Sequence, residues 1–287
     1  MEVGSGDGVQ LKYFRDAHIE VLGVEPSTKL ANFANSQGIR TLEHYFNDKT
    51  VSFLSNEPKF DITLSSFTFD HIPKPKEFLR NIWEISADES LLAFEIHDLE
   101  KINARGEWCL FEHEHMVYTS SRFWVDHLEE VGFKVVEINP IAENEVRANS
   151  MIIVAKKIAS FVENPIKSKE PIIDVNKISV VKKKIENFIN ENNTSGVIGW
   201  GLGGRGVITS ALLKNGNELE CFFDSNFSGL GLCTPKTHVA IKGLDELATY
   251  KTRKVIVFSF GYLDEIKKTL LNNGFQEENI FSLREFF

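Results

Sequence analysis

A glycine-rich turn at the start of the chain constrains the fold most strongly. Residues 2–8 read EVGSGDG, a pattern typical of the turn between a first β-strand and the helix after it. Glycine lets the backbone adopt positive φ and approach a ligand closely, and the following helix begins with free N–H groups. The next apolar stretch ends at Glu25, where a carboxylate suits the hydroxyls of a ribose. Together these features predict a nucleoside-type cofactor.

Length and charge exclude several classes of protein. The 287 residues have room for one large or two ordinary domains. A net charge of −9 argues against a nucleic-acid partner, and the chain has no apolar run of roughly 18 residues that would predict a membrane span. Cys109, Cys221 and Cys233 form no metal-spaced pair. With no signal-peptide pattern, they favour a reduced, cytoplasmic protein.

Apolar runs alternate with helical periodicity along the first half of the chain. The predicted strands cover residues 1–3, 20–24, 40–42, 61–65, 90–95, 134–139 and 150–156, and the predicted helices cover 9–16, 27–36, 74–85 and 120–131. This alternation predicts a mostly parallel sheet. We therefore predict one α/β domain over residues 1–157, with Ser27 and Ser120 as helix N-caps.

The second half has a similar architecture without a close sequence repeat. Residues 158–176 combine prolines and charges with weak periodicity, which is typical of a linker. A helix is predicted over 178–192, followed by strands at 196–200, 219–224 and 254–260 and a glycine turn at 201–206. These elements predict a second Rossmann-like domain over residues 177–287. The predicted fold class is thus α/β with two Rossmann-like domains.

The spacing of the first glycine turn resembles the first motif of class I S-adenosylmethionine-dependent methyltransferases. Its third glycine follows the second by two residues, whereas in nicotinamide-binding turns the third glycine usually follows the second by three residues. Residues 59–73, which include His71, resemble the family's fourth-strand motif. The resemblance implies S-adenosyl-L-methionine as cofactor and a class I methyltransferase fold for the first domain. The implied cofactor-binding residues are Glu2, Gly4, Gly6, Glu25, Pro26, Phe46, Ser65 and Phe67.

Residues 111–118, FEHEHMVY, form an unusual run of titratable side chains between apolar flanks. A histidine tuned near neutral pH suits general-base catalysis. Histidine and glutamate also bind zinc, but the two glutamates and the two histidines fall on opposite faces of an extended segment, and the i, i+4 spacing of a helical zinc motif is absent. We favour a catalytic segment over a solvated loop and predict no metal site.

Three stretches together resemble the sugar C-methyltransferases, which act on nucleotide-linked deoxysugars in bacterial polysaccharide and antibiotic pathways. They are residues 95–99 (EIHDL), residues 113–120 (HEHMVYTS) and a set of C-terminal segments that includes FDSN at 223–226, TPKTH at 234–238 and FSF at 258–260. The resemblance extends from Glu2 to about Leu271. It implies a nucleotide-linked keto-deoxysugar as substrate and a C-terminal domain that helps to form the substrate cleft.

The same resemblance implies a mechanism. A ketone acidifies the neighbouring C–H, a base removes the proton, and the enolate attacks the sulfonium methyl. His115 matches the family's base, and Glu114 matches a residue that orients the base or handles protons. The implied substrate residues are Glu95, His113, Tyr118, Asp224 and His238. Holding carbon and methyl roughly 3–3.5 Å apart would supply much of the rate.

The chain departs from the family pattern in ways that leave alternatives open. Family members usually begin with a small zinc-binding domain and a helix before the first strand, and the chain has neither. We therefore expect an N-terminally truncated protein whose partner is a separate zinc-binding polypeptide. Glu112 stands where the family usually has tyrosine. The alternatives are methyl transfer to oxygen or nitrogen and a non-catalytic, partner-dependent binding protein.

A further alternative is an NAD(P)-dependent oxidoreductase. The spacing Gly201-x-Gly203-x-x-Gly206 matches the dinucleotide fingerprint, with Asp224 at the end of the following strand. A lone match of this kind is weak evidence, and the sequence offers no convincing hydride-transfer site near it.

Overall fold

The computed structural model describes residues 1–112, 114–142, 145, 149–159, 173–213 and 219–287. The chain forms two compact units: unit 1 comprises Met1–Lys101 and His113–Ile172, and unit 2 comprises Ile102–Glu112 and Ile173–Phe287. Residues 102–112 therefore group with the C-terminal part of the chain. The domain limits at 157 and 177 remain predictions from the sequence.

The described residues of unit 1 form seven strands. They are β1 (Glu2–Val3), β2 (Gly23–Val24), β3 (Thr41–Leu42), β4 (Phe60–Ser66), β5 (Ser86–His97), β6 (Phe133–Pro140) and β7 (Ser150–Lys157). The helices are α1 (Val9–Asp16), α2 (Thr28–Ser36), α3 (Asp48–Leu54), α4 (Pro75–Ile85), α5 (Leu99–Arg105), whose last residues belong to unit 2, and α6 (Ser121–His127). The Ser120 side chain caps α6 by accepting a hydrogen bond from the Phe123 amide, whereas Ser27 precedes α2 without such a bond.

The seven strands form one sheet in the order β3-β2-β1-β4-β5-β7-β6. The pairs β1–β2, β2–β3, β1–β4 and β4–β5 are parallel, and β7 runs antiparallel to both of its neighbours. The carboxyl ends of β1, β2, β4 and β5 therefore lie at one edge of the sheet. Ligands of open α/β sheets bind at that edge.

An aromatic cluster fixes the turn that follows β4. The fully buried ring of Phe69 lies 5.1 Å from that of Phe94 and 4.9 Å from that of Trp124. Such ring pairs stabilise a core beyond the apolar area that they bury. Asp70 and His71 come directly after Phe69, so the core of unit 1 fixes the backbone that carries them.

Unit 2 is built on a parallel sheet of five strands in the order β10-β9-β8-β11-β12. The strands are β8 (Val197–Trp200), β9 (Phe222–Phe223), β10 (Ile241–Lys242), β11 (Lys254–Val257) and β12 (Ile280–Ser282), and the helices are α7 (Val175–Glu191), α8 (Gly204–Leu212) and α9 (Leu263–Asn272). Trp108 and Cys109 are buried in its core, and this burial raises the pKa of the Cys109 thiol to about 12. No helix among the described residues is long and apolar enough to cross a membrane.

Candidate active site

The glycine turn of unit 1 adopts a conformation that favours glycine. Gly4, Gly6 and Gly8 have φ values of +72°, +54° and +79°. A Cβ on Gly4 would lie 1.9 Å from Oγ1 of Thr68, whereas a Cβ on Gly6 would meet nothing within 4 Å. The backbone at Gly4 thus lies so close to the segment after β4 that a side chain at position 4 would clash with Thr68.

Glu25 connects this turn to the start of α2. As a whole residue, Glu25 is only 7% exposed. Oε2 accepts a hydrogen bond from the Gly6 amide at 2.9 Å, and Oε1 accepts one from the Ser27 amide at 2.8 Å. A carboxylate offers about four acceptor positions, so these two bonds orient the acid and leave capacity for ligand hydroxyls.

A cavity of about 560 Å³ opens beside the turn, a volume typical of small-molecule sites. Five of the predicted cofactor residues line it: Gly4, Glu25, Pro26, Phe46 and Phe67. Its other polar lining, which the sequence patterns do not predict, includes His44, Tyr45, Asn47, Thr68 and His71. Phe67 has φ of +50°, and a bulky residue held in this strained conformation is consistent with a place at a binding site.

The other three predicted cofactor residues lie outside the lining. The Gly6 amide donates to the Glu25 carboxylate, and Ser65 is fully buried in β4. Glu2 is 3% exposed, and burial raises the pKa of its carboxyl to about 7. Within the described part of the chain, Oε2 of Glu2 has no hydrogen-bond partner. The close approach at Gly4, this buried oxygen and the aromatic wall fit a nucleoside cofactor that carries a cationic group.

A cluster of three histidine rings lies next to the cavity. The His115 ring is 4.8 Å from the ring of His71, which lines the cavity, and 5.2 Å from the ring of His97. Nδ1 of His115 is 3.2 Å from the Tyr118 hydroxyl. Nδ1 of His71 is 3.1 Å from the carbonyl oxygen of Glu114. A carbonyl only accepts, so this bond requires a proton on Nδ1 of His71 and keeps Nε2 available.

The structure adds Asp70 and His97 to this cluster. Oδ2 of Asp70 lies 3.1 Å from Nδ1 of His97, and the Asp70 carboxyl group is fully buried. In the sequence, His97 stands out only as part of the EIHDL stretch, and Asp70 is not predicted as a site residue. One feature of the sequence could have indicated this pair. Asp70 follows β4 and His97 ends β5, and these two strands are parallel neighbours.

The other predicted substrate residues have different surroundings. The Glu95 carboxylate accepts a hydrogen bond of 2.7 Å from the Ser150 hydroxyl in unit 1. His113 lies outside the described residues. In unit 2, the Asp224 carboxylate accepts bonds from the amides of Leu202 at 2.7 Å and Asn226 at 2.8 Å. His238 is exposed, with φ of +56°.

The second glycine turn holds a side chain of the protein itself. A Cβ on Gly204 would lie 2.2 Å from the carboxyl carbon of Glu112, so this carboxylate sits against the first turn of α8. A pyrophosphate binds at the corresponding place in dinucleotide-binding folds. A Cβ on Gly206 would lie 2.1 Å from the carbonyl oxygen of Gly201, so the third glycine serves close backbone packing.

Comparison with known proteins agrees with the geometry of unit 1. Residues 1–138 match a family model described as a methyltransferase domain. The chain is 22% identical to the C-methyltransferase NovU of Streptomyces niveus, over 96% of this chain and 70% of that protein. Among solved structures, it resembles an S-adenosylmethionine-dependent methyltransferase from Archaeoglobus fulgidus (18% identity, TM-score 0.45, 54% of this chain and 84% of that one). It also resembles one from Mesorhizobium loti (12% identity, TM-score 0.44, 54% and 89%).

The domain match covers β1, the glycine turn, the Glu25 carboxylate and the histidine cluster. The mixed sheet confirms the predicted class I fold of unit 1, with β7 as the antiparallel strand. The chain thus contains a methyltransferase domain over residues 1–138, and the cofactor of this domain is S-adenosylmethionine.

Proposed function

We propose that the enzyme transfers a methyl group to the carbon beside the ketone of a nucleotide-linked keto-deoxysugar, with His115 as the general base. One observation carries this proposal: the His115 ring lies 4.8 Å from His71, in the wall of the cavity beside the glycine turn. An imidazole at this place is a base next to the site that suits the methyl donor. The similarity to a C-methyltransferase supports carbon as the acceptor.

We infer from the contact of His115 with Tyr118 which ring nitrogen acts as the base. Nδ1 lies 3.2 Å from the Tyr118 hydroxyl. When Nδ1–H donates to the hydroxyl oxygen, the Nε2 lone pair can accept a proton from carbon. His71 holds the Glu114 carbonyl at 3.1 Å, which fixes the backbone next to His115. We propose that the Glu114 carboxylate helps His115 to pass its proton to solvent.

Other residues of unit 1 would bind the cofactor. Glu25 and the turn at Gly4 would hold the ribose and the adjoining part of the cofactor, and Phe46 and Phe67 would form its apolar wall. The bound cofactor supplies an electrophilic methyl group. His115 would take the proton from the sugar carbon beside the ketone and leave the electron pair of that C–H bond on the resulting enolate, which is the nucleophile for the methyl group.

We assign Glu95, Tyr118, Asp224 and His238 to the sugar nucleotide, with unit 2 as a Rossmann-like domain that contributes to substrate binding. The parallel five-stranded sheet of unit 2 supports this assignment. So does the turn after β8, which the Asp224 carboxylate orders through the Leu202 amide.

Product analysis tests the proposal. The enzyme is incubated with ¹³C-methyl-labelled S-adenosylmethionine and a panel of nucleoside-diphosphate-linked keto-deoxysugars, with the matching hydroxy sugars as controls. The proposal predicts a carbon-bound methyl signal with a keto sugar and none with its hydroxy counterpart. A methyl signal on oxygen or nitrogen would establish the alternative acceptors, and methylation of the hydroxy sugars would refute the enolate mechanism.

A further inference from the structure

Asp70 lies between His97 and the segment that carries His115. Its carbonyl oxygen accepts hydrogen bonds from the amides of Met116 at 2.6 Å and Val117 at 3.1 Å. Its carboxylate oxygen Oδ2 lies 3.1 Å from Nδ1 of His97. One residue thus holds the backbone of the catalytic segment and the imidazole next to it.

Core packing does not account for this carboxylate. Asp70 has no exposed surface, and its Oδ1 lacks a hydrogen-bond partner within the described residues. A buried carboxylate destabilises the fold unless it is paired, and the backbone bonds to Met116 and Val117 would form with any residue at position 70. The side chain therefore has a role besides anchoring the segment.

The carboxylate defines the state of His97. Because Oδ2 accepts, Nδ1 of His97 carries a proton, and Nε2 keeps its lone pair while the ring is neutral. The ring lies 5.2 Å from His115, with 39° between the ring planes, and 5.4 Å from Phe67 at the cavity. His97 is thus held by Asp70 on one side and contacts the candidate base on the other.

We propose that Asp70 and His97 are a pair of positioning residues that fix the His115 ring for proton abstraction. The pair supplements Tyr118, which holds Nδ1 of His115. This inference rests on the proposed function, since it assigns the pair to the same base. Misplacement of a reacting group by about 1 Å lowers the rate on the order of 100-fold. Contacts of the His115 ring with both His97 and Tyr118 would prevent such a displacement.

Kinetics of Asp70→Asn and His97→Gln test the pair. The Asp70→Asn change retains the backbone bonds and the shape of the side chain but removes the charge. We expect each variant to lower kcat about 10- to 100-fold, as loss of an orienting partner does, with KM for S-adenosylmethionine within about twofold of wild type. The double variant should be no slower than the slower single variant, because the two residues act as a unit. His18→Asn, at an exposed histidine, is the matched control.

A second measurement needs no sugar substrate. Long-range ¹H–¹⁵N spectra of the full chain with S-adenosylhomocysteine report the tautomer of each ring. The proposal predicts the Nδ1–H form of His97 in wild type and displaced ring signals of His115 in Asp70→Asn and in His97→Gln but not in His18→Asn. If wild type methylates no sugar of the panel, the proposed function fails, and the spectra still decide whether the pair fixes His115. Unchanged His115 signals, a kcat within twofold of wild type, or a loss of S-adenosylhomocysteine binding that parallels the loss of activity would each overturn the proposal.

Discussion

The Glu25 carboxylate accepts a hydrogen bond from the Gly6 amide, with 2.9 Å between Oε2 and the nitrogen. Its other oxygen accepts from the Ser27 amide at 2.8 Å. The acid at the end of β2 thus orders the glycine turn as well as facing the cavity. Asp224 has the corresponding relationship in unit 2, where its carboxylate accepts from the Leu202 amide in the second glycine turn.

Glu25→Gln should weaken S-adenosylhomocysteine binding about 10- to 100-fold. The amide nitrogen of glutamine cannot accept, so one backbone bond is lost, and a hydrogen bond to a charged group contributes roughly 1.5–3 kcal/mol. Isothermal titration calorimetry measures the change, with the exposed Glu20→Gln as control. Equal affinities of the two variants would show that Glu25 does not serve the cofactor.

Gly4→Ala should destabilise the fold and abolish cofactor binding, whereas Gly6→Ala should cost only about 1–2 kcal/mol from positive φ. The difference arises because a Cβ at position 4 would lie 1.9 Å from Thr68 Oγ1, while position 6 is open. Urea unfolding and calorimetry distinguish the two variants. Adding Thr68→Ala should partly restore Gly4→Ala, and an absence of any rescue would contradict the steric explanation.

Glu2 should make the stability of the protein depend on pH. Burial raises the pKa of its carboxyl to about 7 in the folded chain, from an ordinary value of 4.5. The folded state therefore retains a proton that the unfolded chain has released. The contribution is fully present below pH 4.5 and is lost as pH rises through about 7. Between about pH 5 and 8, the unfolding free energy of Glu2→Gln should fall less than that of wild type, by up to roughly 3 kcal/mol. Urea unfolding at several pH values tests this, and parallel curves for Glu2→Gln and wild type would contradict it.

The Glu112 carboxylate should stabilise α8 from the second glycine turn. A carboxylate at a helix N-terminus contributes about 0.3–1 kcal/mol, so Glu112→Ala should lower the unfolding free energy by about this amount. In a Gly204→Ala background the effect should vanish, because the new Cβ takes the place of the carboxylate. Gly203→Ala is the control background, since a Cβ there meets nothing within 4 Å.

Titration of NAD into the wild-type protein should give no heat of binding in calorimetry. Binding of NAD would support the oxidoreductase alternative instead.

The larger elements of unit 1 follow from local patterns. The apolar runs predict β4 to β7 to within a few residues, and the predicted helix over 9–16 matches α1. Helix α3 escaped prediction because its seven residues are too few to show a clear helical period. Its signal was the cap: the Asn47 side chain accepts from the amides of Lys49 and Thr50, which is typical of a helix start.

The histidine cluster depends on tertiary contacts. The run around His115 indicates a catalytic segment from composition alone, but the Asp70–His97 pair joins residues 27 positions apart. It forms because β4 and β5 are parallel neighbours whose ends meet at one edge of the sheet. Likewise, the sequence of the second glycine turn matches the dinucleotide fingerprint, and only the structure places Glu112 against it.

The most direct test of the account compares His115→Ala with wild type in two assays on the same preparation. One measures S-adenosylhomocysteine affinity by calorimetry, and the other measures transfer of labelled methyl to a keto-sugar nucleotide. The account predicts that affinity stays within about twofold, while transfer falls by roughly 100- to 10,000-fold, the usual contribution of a general base. Undiminished transfer by His115→Ala, or a loss of affinity equal to the loss of transfer, would contradict it.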